Sequence, residues 1–308
     1  MKVVGHMDIV ERFSKSIQAE RLHHAWLLHG LKGVGKHTLA RELAASYLCE
    51  KNAKKSCGQC HACRMFAAGS HPDVFHVALP EDKRDISVGQ VRELLAFLAL
   101  SGAEGERRVV ILDNSEHMNI QAANALLKGL EEPATGSLLL ITCSDLMRLP
   151  ATVRSRCLLQ HCAPLASDDT RQVLASLPVD EIYMDMAVHL ADGCPGTVAC
   201  LQEKSVAEAL LEWQTLTQDV TRADIGKIQG WLQQHISRVP HQLIVAVLLE
   251  GMQQLLHQKA GFEPIDRLLS AGWALASWPQ AVAKQSLRAS PSLLAHILQL
   301  RMAARALQ

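Results

Sequence analysis

Between Ala25 and Ser144, short apolar runs alternate with stretches in which apolar residues recur every three or four positions. "AWLLHG" (Ala25 to Gly30) is such a run, closed by a glycine, and "KHTLARELAASYLC" continues it at helical spacing. "DVFHVAL" (Asp73 to Leu79), "RRVVILDN" and "SLLLITCS" read as further strands. Their near-continuous apolar character predicts strands buried on both faces. "SVGQVRELLAFLAL" predicts a helix: Ser87 and Gln90 have capping-box spacing, and Val91, Leu94, Leu95 and Leu98 share one face. "NIQAANALLKGLEE" predicts another, which Pro133 terminates. Strands alternating with helices imply an α/β domain with a parallel sheet covered on both sides.

After Pro164 the pattern becomes helical to the end, and no strand is predicted. The spacing predicts helices over 168–177, 182–191, 196–203, 206–218, 225–237, 242–258, 265–276 and 291–307. Joints are expected at "LADGCPG" and around Glu203 to Ser205. They divide the chain into an α/β domain over 1–164, a small helical domain over 165–205 and an all-helical domain over 206–308. "HQLIVAVLLEGMQQLLHQ" is apolar on nearly all sides and should be buried in a bundle. "SPSLLAHILQLRMAARAL" has Ser290 before Pro291 at its start and aligns Leu294, Ile297, Leu298 and Arg301.

A chain of 308 residues has room for two or three domains with proper cores. With 48% hydrophobic but only 4% aromatic residues, the interior should be aliphatic and helix-rich. Lysine plus arginine equals aspartate plus glutamate at 31 each, which argues against gripping DNA through the chain's own charge. No apolar run is long enough to span a bilayer, and "MKVVGHMDIVERF" lacks a signal-peptide core, so a cytoplasmic protein without membrane partners is expected. In that setting the nine cysteines favour reduced thiols and a metal over disulfides.

"GLKGVGKHTLA" fits the phosphate-loop pattern G-x-x-x-x-G-K-[S/T] through Gly30, Gly35 and Lys36, with Gly33 inside the loop. Backbone N–H groups of such a turn point at phosphate oxygens, the following helix adds partial positive charge, and the lysine reaches the outer phosphates. ATP or ADP is therefore the candidate ligand. Where a hydroxyl normally touches magnesium, however, stands His37, and the first hydroxyl is Thr38. Asp113, ending "VVILD", is placed to help hold magnesium, but the next residue is Asn114, which cannot act as a base at neutral pH. Glu116, two positions on, is expected to aim elsewhere. The pattern keeps an anion site and loses parts that hydrolysis needs.

"NALLKGLEEP" (Asn124 to Pro133), then "SRC" (Ser155 to Cys157), resembles the AAA+ subunits of bacterial sliding-clamp loaders. "SYLCEKNAKKSCGQCHACRMFAAGSHPD" resembles the zinc module of that family. The likeness covers essentially all of the first 200 residues, and the helical remainder fits the family in length and character. It implies a P-loop (AAA+) domain, a small helical lid and an all-α collar that joins a hetero-pentameric ring with delta and gamma/tau subunits. Such a ring loads the sliding clamp onto primed DNA as part of a DNA-directed DNA polymerase, the DNA polymerase III holoenzyme. The resemblance also assigns roles: Arg156 would act as an arginine finger on a neighbour's γ-phosphate, and Thr142 would be the polar sensor. Gly196 stands where motor subunits carry a sensor arginine. Together with His37 and Asn114 this implies a stator, non-catalytic alone. An active motor ATPase is the alternative reading, and a zinc-dependent DNA-binding regulator a third.

Cys57, Cys60 and Cys63 are spaced C-x2-C-x2-C, and Cys49 ends the preceding helix. Such turns let thiolates converge on one tetrahedral ion, and four sulfurs close the shell, as in structural zinc sites. An iron–sulfur cluster is the rarer alternative, and His61 and His71 are possible substitute ligands; the family resemblance matches the four cysteines. Cys143, Cys157, Cys162, Cys194 and Cys200 are expected to be small packing residues.

Overall fold

Alternate side chains of the first strand, β1 (Ala25–His29), pack on opposite sides: Trp26 and Leu28 on one face, Ala25 and Leu27 on the other. The computed structural model describes residues 3–51, 55–80, 83–100, 107–258, 265–285 and 288–305. β2 (Val74–Val77), β3 (Arg108–Leu112), β4 (Ser137–Cys143) and β5 (Leu158–His161) complete a five-stranded sheet in the order β2-β3-β4-β1-β5. Every pairing is parallel. Four of these strands are those that the apolar runs predict. The fifth is not: it is a four-residue edge strand, and Leu159 and His161 are exposed, so its pattern is too short and mixed to read.

Helices cover both faces, as a parallel sheet requires. α1 (Met7–Gln18) and α2 (Lys36–Leu48) bury Ile9, Phe13, Leu39 and Leu43 against Trp26, Leu28, Ile111 and Leu140. α1 was not predicted. It begins after His6, whose φ of 52° is left-handed, so no polar capping residue announces it. Between α2 and β2 lies α3 (His61–Ala67). α4 (Val88–Ala99) and α5 (Ile120–Glu131) cover the other face through Val91, Leu94, Leu126 and Leu130. The predicted capping box is present: Ser87 accepts from the Gln90 N–H, and the Gln90 side chain accepts from the Ser87 N–H. α6 (Ala151–Arg154) is a single turn before β5.

The chain forms two compact units, Met1–Gln172 with Gly193–Gly196, and Val173–Asp192 with Thr197–Gln308. The chain leaves the first within α7 (Ser167–Ala175). The second contains α8 (Met184–Ala191), α9 (Lys204–Thr217), α10 (Ile225–His235), α11 (His241–Gln258), α12 (Ile265–Gln285) and α13 (Ala289–Arg305). Its core is built around Trp213 and Trp231, with ring centroids 4.5 Å apart; their indole N–H groups donate to Ile244 O and Ala209 O. Among the described residues no strand follows His161, as expected.

Two local expectations are corrected. Residues 195–202 form a 3-10 helix rather than an α-helix. α12 continues past Ala276 to Gln285 although Pro279 lies inside it. A proline removes one backbone bond and disfavours a helix interior, but Trp278, 1% exposed and bonded through its indole N–H to Ser292 Oγ, anchors that segment in the core. On α13, as expected a helix, Ile297 is buried, Leu298 is 40% exposed, and Arg301 donates to the carbonyls of Thr221 and Ala223.

Candidate functional site

The loop from Gly30 to Gly35 joins β1 to α2, and its backbone dictates its glycines. Gly33 and Gly35 have φ of 82° and 101°, and a Cβ on Gly30 would lie 2.3 Å from Cys162 O. Lys36 is buried, and its ammonium donates to Gly30 O at 2.9 Å and Leu31 O at 2.8 Å. Burial lowers its pKa, against which the charge of Glu116 is the largest opposing effect. Two further contacts fix the loop: His6 Nε2 lies 3.1 Å from Val34 O, and the Gly196 N–H donates to Gly33 O at 2.9 Å. Thr38 is the third residue of α2, one place beyond His37 in its first turn.

Opposite the loop, parallel pairing of β3 with β4 sets Asp113 beside Thr142. The Thr142 hydroxyl donates to Asp113 Oδ1 and accepts from the Asn114 N–H at 3.0 Å. Thr142 thus joins the acidic residue to its successor, and Asn114 takes a left-handed φ of 51°. Glu116 is buried, its Oε2 accepts from the Ser144 N–H, and its charge acts on Lys36. His37 Nδ1 lies 3.4 Å from Asp113 Oδ2, and the His37 and His76 ring centroids are 5.1 Å apart. His76 was not among the predicted site residues; it stands in a β-run that carries no motif, and only the sheet order brings it here. Burial raises the pKa of Asp113, but the bonds from His37 and Thr142 outweigh it and the net shift is downward. Burial, then the neighbouring His37, lowers that of His76.

Arg156 follows α6 at the surface. Its guanidinium pairs with Glu131 Oε1 at 2.7 Å and donates to Thr152 O at 3.0 Å. Arg154, half-buried like Arg156, has its Nη1 3.9 Å from Met147 Sδ.

The four predicted cysteine ligands converge: the sulfurs of Cys49, Cys57, Cys60 and Cys63 all lie within 4.8 Å of one another. Cys57 and Cys63 are 3.9 Å apart, near the ~3.8 Å edge of a tetrahedron with Zn–S bonds of about 2.3 Å. Backbone N–H groups of Cys60 and Cys63 point at the sulfurs of Cys57 and Cys60, and N–H groups of Gln59 and Cys60 bring the Cys57 thiol down to about 6. Neither alternative histidine belongs to the cluster, and His71 Nδ1 instead accepts from the Asp73 N–H. The donor set fits a closed, structural zinc site. The remaining thiols Cys143, Cys157, Cys162 and Cys194 are buried, and Cys200 is half-buried.

Comparison with known proteins places these sites in a family context. The family described as "DNA polymerase III, delta subunit" matches residues 5–166. DNA polymerase III subunit delta' of Pseudomonas aeruginosa is 40% identical over 188 residues, which is 60% of this chain and 57% of that protein. The subunit delta' of Yersinia pestis is 38% identical over 246 residues, 76% of this chain and 71% of its own. The match thus spans little more than half of the Pseudomonas relative. A DNA polymerase III gamma subunit-related protein from Thermotoga maritima has the same fold, with a TM-score of 0.51 at 14% identity over 96% of this chain and 99% of that one.

Proposed function

This chain belongs to the family of DNA polymerase III delta-prime subunits, and from that premise we propose that it is the stator of a clamp loader. In this reading residues 1–164 form the AAA+ domain with the zinc module at 49–63, residues 165–205 the lid, and residues 206–308 the collar. The collar joins delta and gamma/tau subunits in a hetero-pentameric ring that loads a sliding clamp onto primed DNA in the cytoplasm. The observation that carries the stator reading is the Asp113–Asn114 pair at the end of β3. Asn114 offers no carboxylate to polarise water, and its backbone N–H is committed to Thr142. His37, beside Asp113, replaces the magnesium hydroxyl, and Lys36 is held by its own loop carbonyls.

The subunit would act through Arg156, whose guanidinium is exposed enough to reach a γ-phosphate in an adjacent subunit. A zinc ion on Cys49, Cys57, Cys60 and Cys63 would cross-link the segment between α2 and α3, with no open position for chemistry. Among the described residues no helix is long and apolar enough to cross a membrane. Steady-state ATP turnover by the pure chain is the test. None is expected, and any weak nucleotide binding should vanish in Lys36→Ala. Turnover that disappears with Lys36→Ala would favour the motor reading instead.

A further inference from the structure

The exchange of a loop hydroxyl for His37 does more than remove a magnesium contact. It brings an imidazole to the Asp113 carboxylate, and β2, next to β3 in the sheet, adds a second imidazole from His76. We propose that His37, His76 and Asp113 form a second metal site, separate from the cysteine module, that takes a borderline divalent transition ion such as Zn2+ or Co2+. It lies beyond the clamp-loader reading and does not depend on it.

The geometry supports three convergent ligands. One donor atom from each residue lies within 4.8 Å of the other two. Metal–nitrogen bonds of about 2.0–2.1 Å give a tetrahedral edge of about 3.3 Å, and the His37 Nδ1 to Asp113 Oδ2 distance is already 3.4 Å. The His76 ring, with its centroid 5.1 Å from that of His37, supplies the third donor. His37 Nδ1 is buried, and its one close approach, to Asp113 Oδ2 at 3.4 Å, is too poorly aligned for a good hydrogen bond. A metal ion between the two atoms would satisfy the nitrogen better.

The surroundings favour a cation there. Thr142 donates to Asp113 Oδ1, which orients the carboxylate with Oδ2 toward His37, as second-shell hydrogen bonds do at metal centres. Two cationic groups whose charge reaches the cluster have partners of their own: Lys36 bonds to Gly30 O and Leu31 O, and the Arg41 guanidinium lies over the Phe66 ring, 5.4 Å from its centroid. The donor set decides the ion. Two imidazoles and one carboxylate suit zinc, cobalt or nickel, whereas magnesium prefers an octahedron of oxygens. With three protein ligands the fourth position is left to water. Substitution at the phosphate loop has thus turned a hard-oxygen magnesium position into a nitrogen-rich one.

The full chain, saturated with zinc and desalted, should retain about two metal ions by elemental analysis. One should resist a mild chelator and the other should be labile. Co2+ refilling the labile position should give the weak visible bands of a nitrogen–oxygen site, without thiolate charge transfer. His37→Ala, His76→Ala and Asp113→Asn should each remove the labile ion and leave the resistant one, and Cys63→Ser should do the reverse. Because His76 is exposed, His76→Ala tests the site without threatening the fold. A large excess of Mg2+ should not displace the labile ion. The proposal is overturned if only one ion is retained, or if the labile ion survives both histidine substitutions. It is equally overturned if that ion is lost with His23→Ala/His24→Ala instead, or if Mg2+ displaces it.

Discussion

Gly196 donates its backbone N–H to Gly33 O at 2.9 Å, and a Cβ at Gly196 would stand 2.8 Å from Gly33 Cα. Gly196 therefore lies directly on the phosphate loop, backbone against backbone. Any side chain there must push the loop away. Gly196→Ala should destabilise the fold by about 1–3 kcal/mol, the usual cost of overpacking, read as a lower midpoint in urea. Gly196→Arg should cost at least as much and create no ATP turnover, since Asn114 and His37 are unchanged. A stable, ATP-hydrolysing Gly196→Arg would show that the glycine alone holds the site inactive.

Metal removal offers a second check. One zinc per cysteine module is expected, and Cys57→Ser should lower the content of tightly held metal. Chelation should expose Cys49, Cys57, Cys60 and Cys63 to alkylation in the native chain. Cys143 and Cys157 should stay unreactive, because burial pushes their thiols up to about 12, and Cys162 likewise at about 11. A raised thiol pKa leaves almost no thiolate at neutral pH, and thiolate is the reactive form. Mass spectrometry showing equal early labelling of all these cysteines would contradict the assignment.

The cap of α4 should be worth a measurable amount. Ser87→Ala removes the side-chain acceptor for the Gln90 N–H, and such losses cost about 0.5–2 kcal/mol. Ser87→Asp should restore most of it. Equal denaturation midpoints for wild type and Ser87→Ala would mean that Gln90 alone secures this end.

How much of this was written in the sequence depends on the range of the interaction. Ser87 and Gln90, the C-x2-C turns and the apolar runs of β1, β3 and β4 act within a few residues, so periodicity and spacing reveal them. The phosphate loop is legible for the same reason. His76 is not, because its approach to His37 and Asp113 depends on β2 lying beside β3 rather than on any local pattern. The Gly196 contact on Gly33 joins residues far apart in the chain, so no local spacing reveals it. β5 escapes notice because pairing with β1, not an apolar run of its own, makes it a strand. Pro279 misleads in the opposite direction, since a buried tryptophan next to it outweighs the local preference.

The contact between Arg156 and Glu131 bears on the most discriminating prediction. The carboxylate of Glu131, at the end of α5, holds Arg156 Nη2 at 2.7 Å, and both side chains are well exposed. An exposed pair of this kind adds little stability, so Arg156→Ala should leave folding and ring assembly essentially unchanged. An arginine finger, by contrast, accelerates phosphoryl transfer by roughly a thousandfold or more at the site it serves. In the ring proposed above other subunits would also hydrolyse ATP, so its bulk ATPase rate, with clamp and primed DNA present, should fall only in part. Clamp loading, which needs every site to fire, should fall further. Arg154→Ala is the internal control: its guanidinium rests near Met147 rather than Glu131, and its loss should affect both rates less. Unaltered ATPase and loading with Arg156→Ala would reduce Ser155-Arg156-Cys157 to a structural turn and leave the subunit to contribute shape alone.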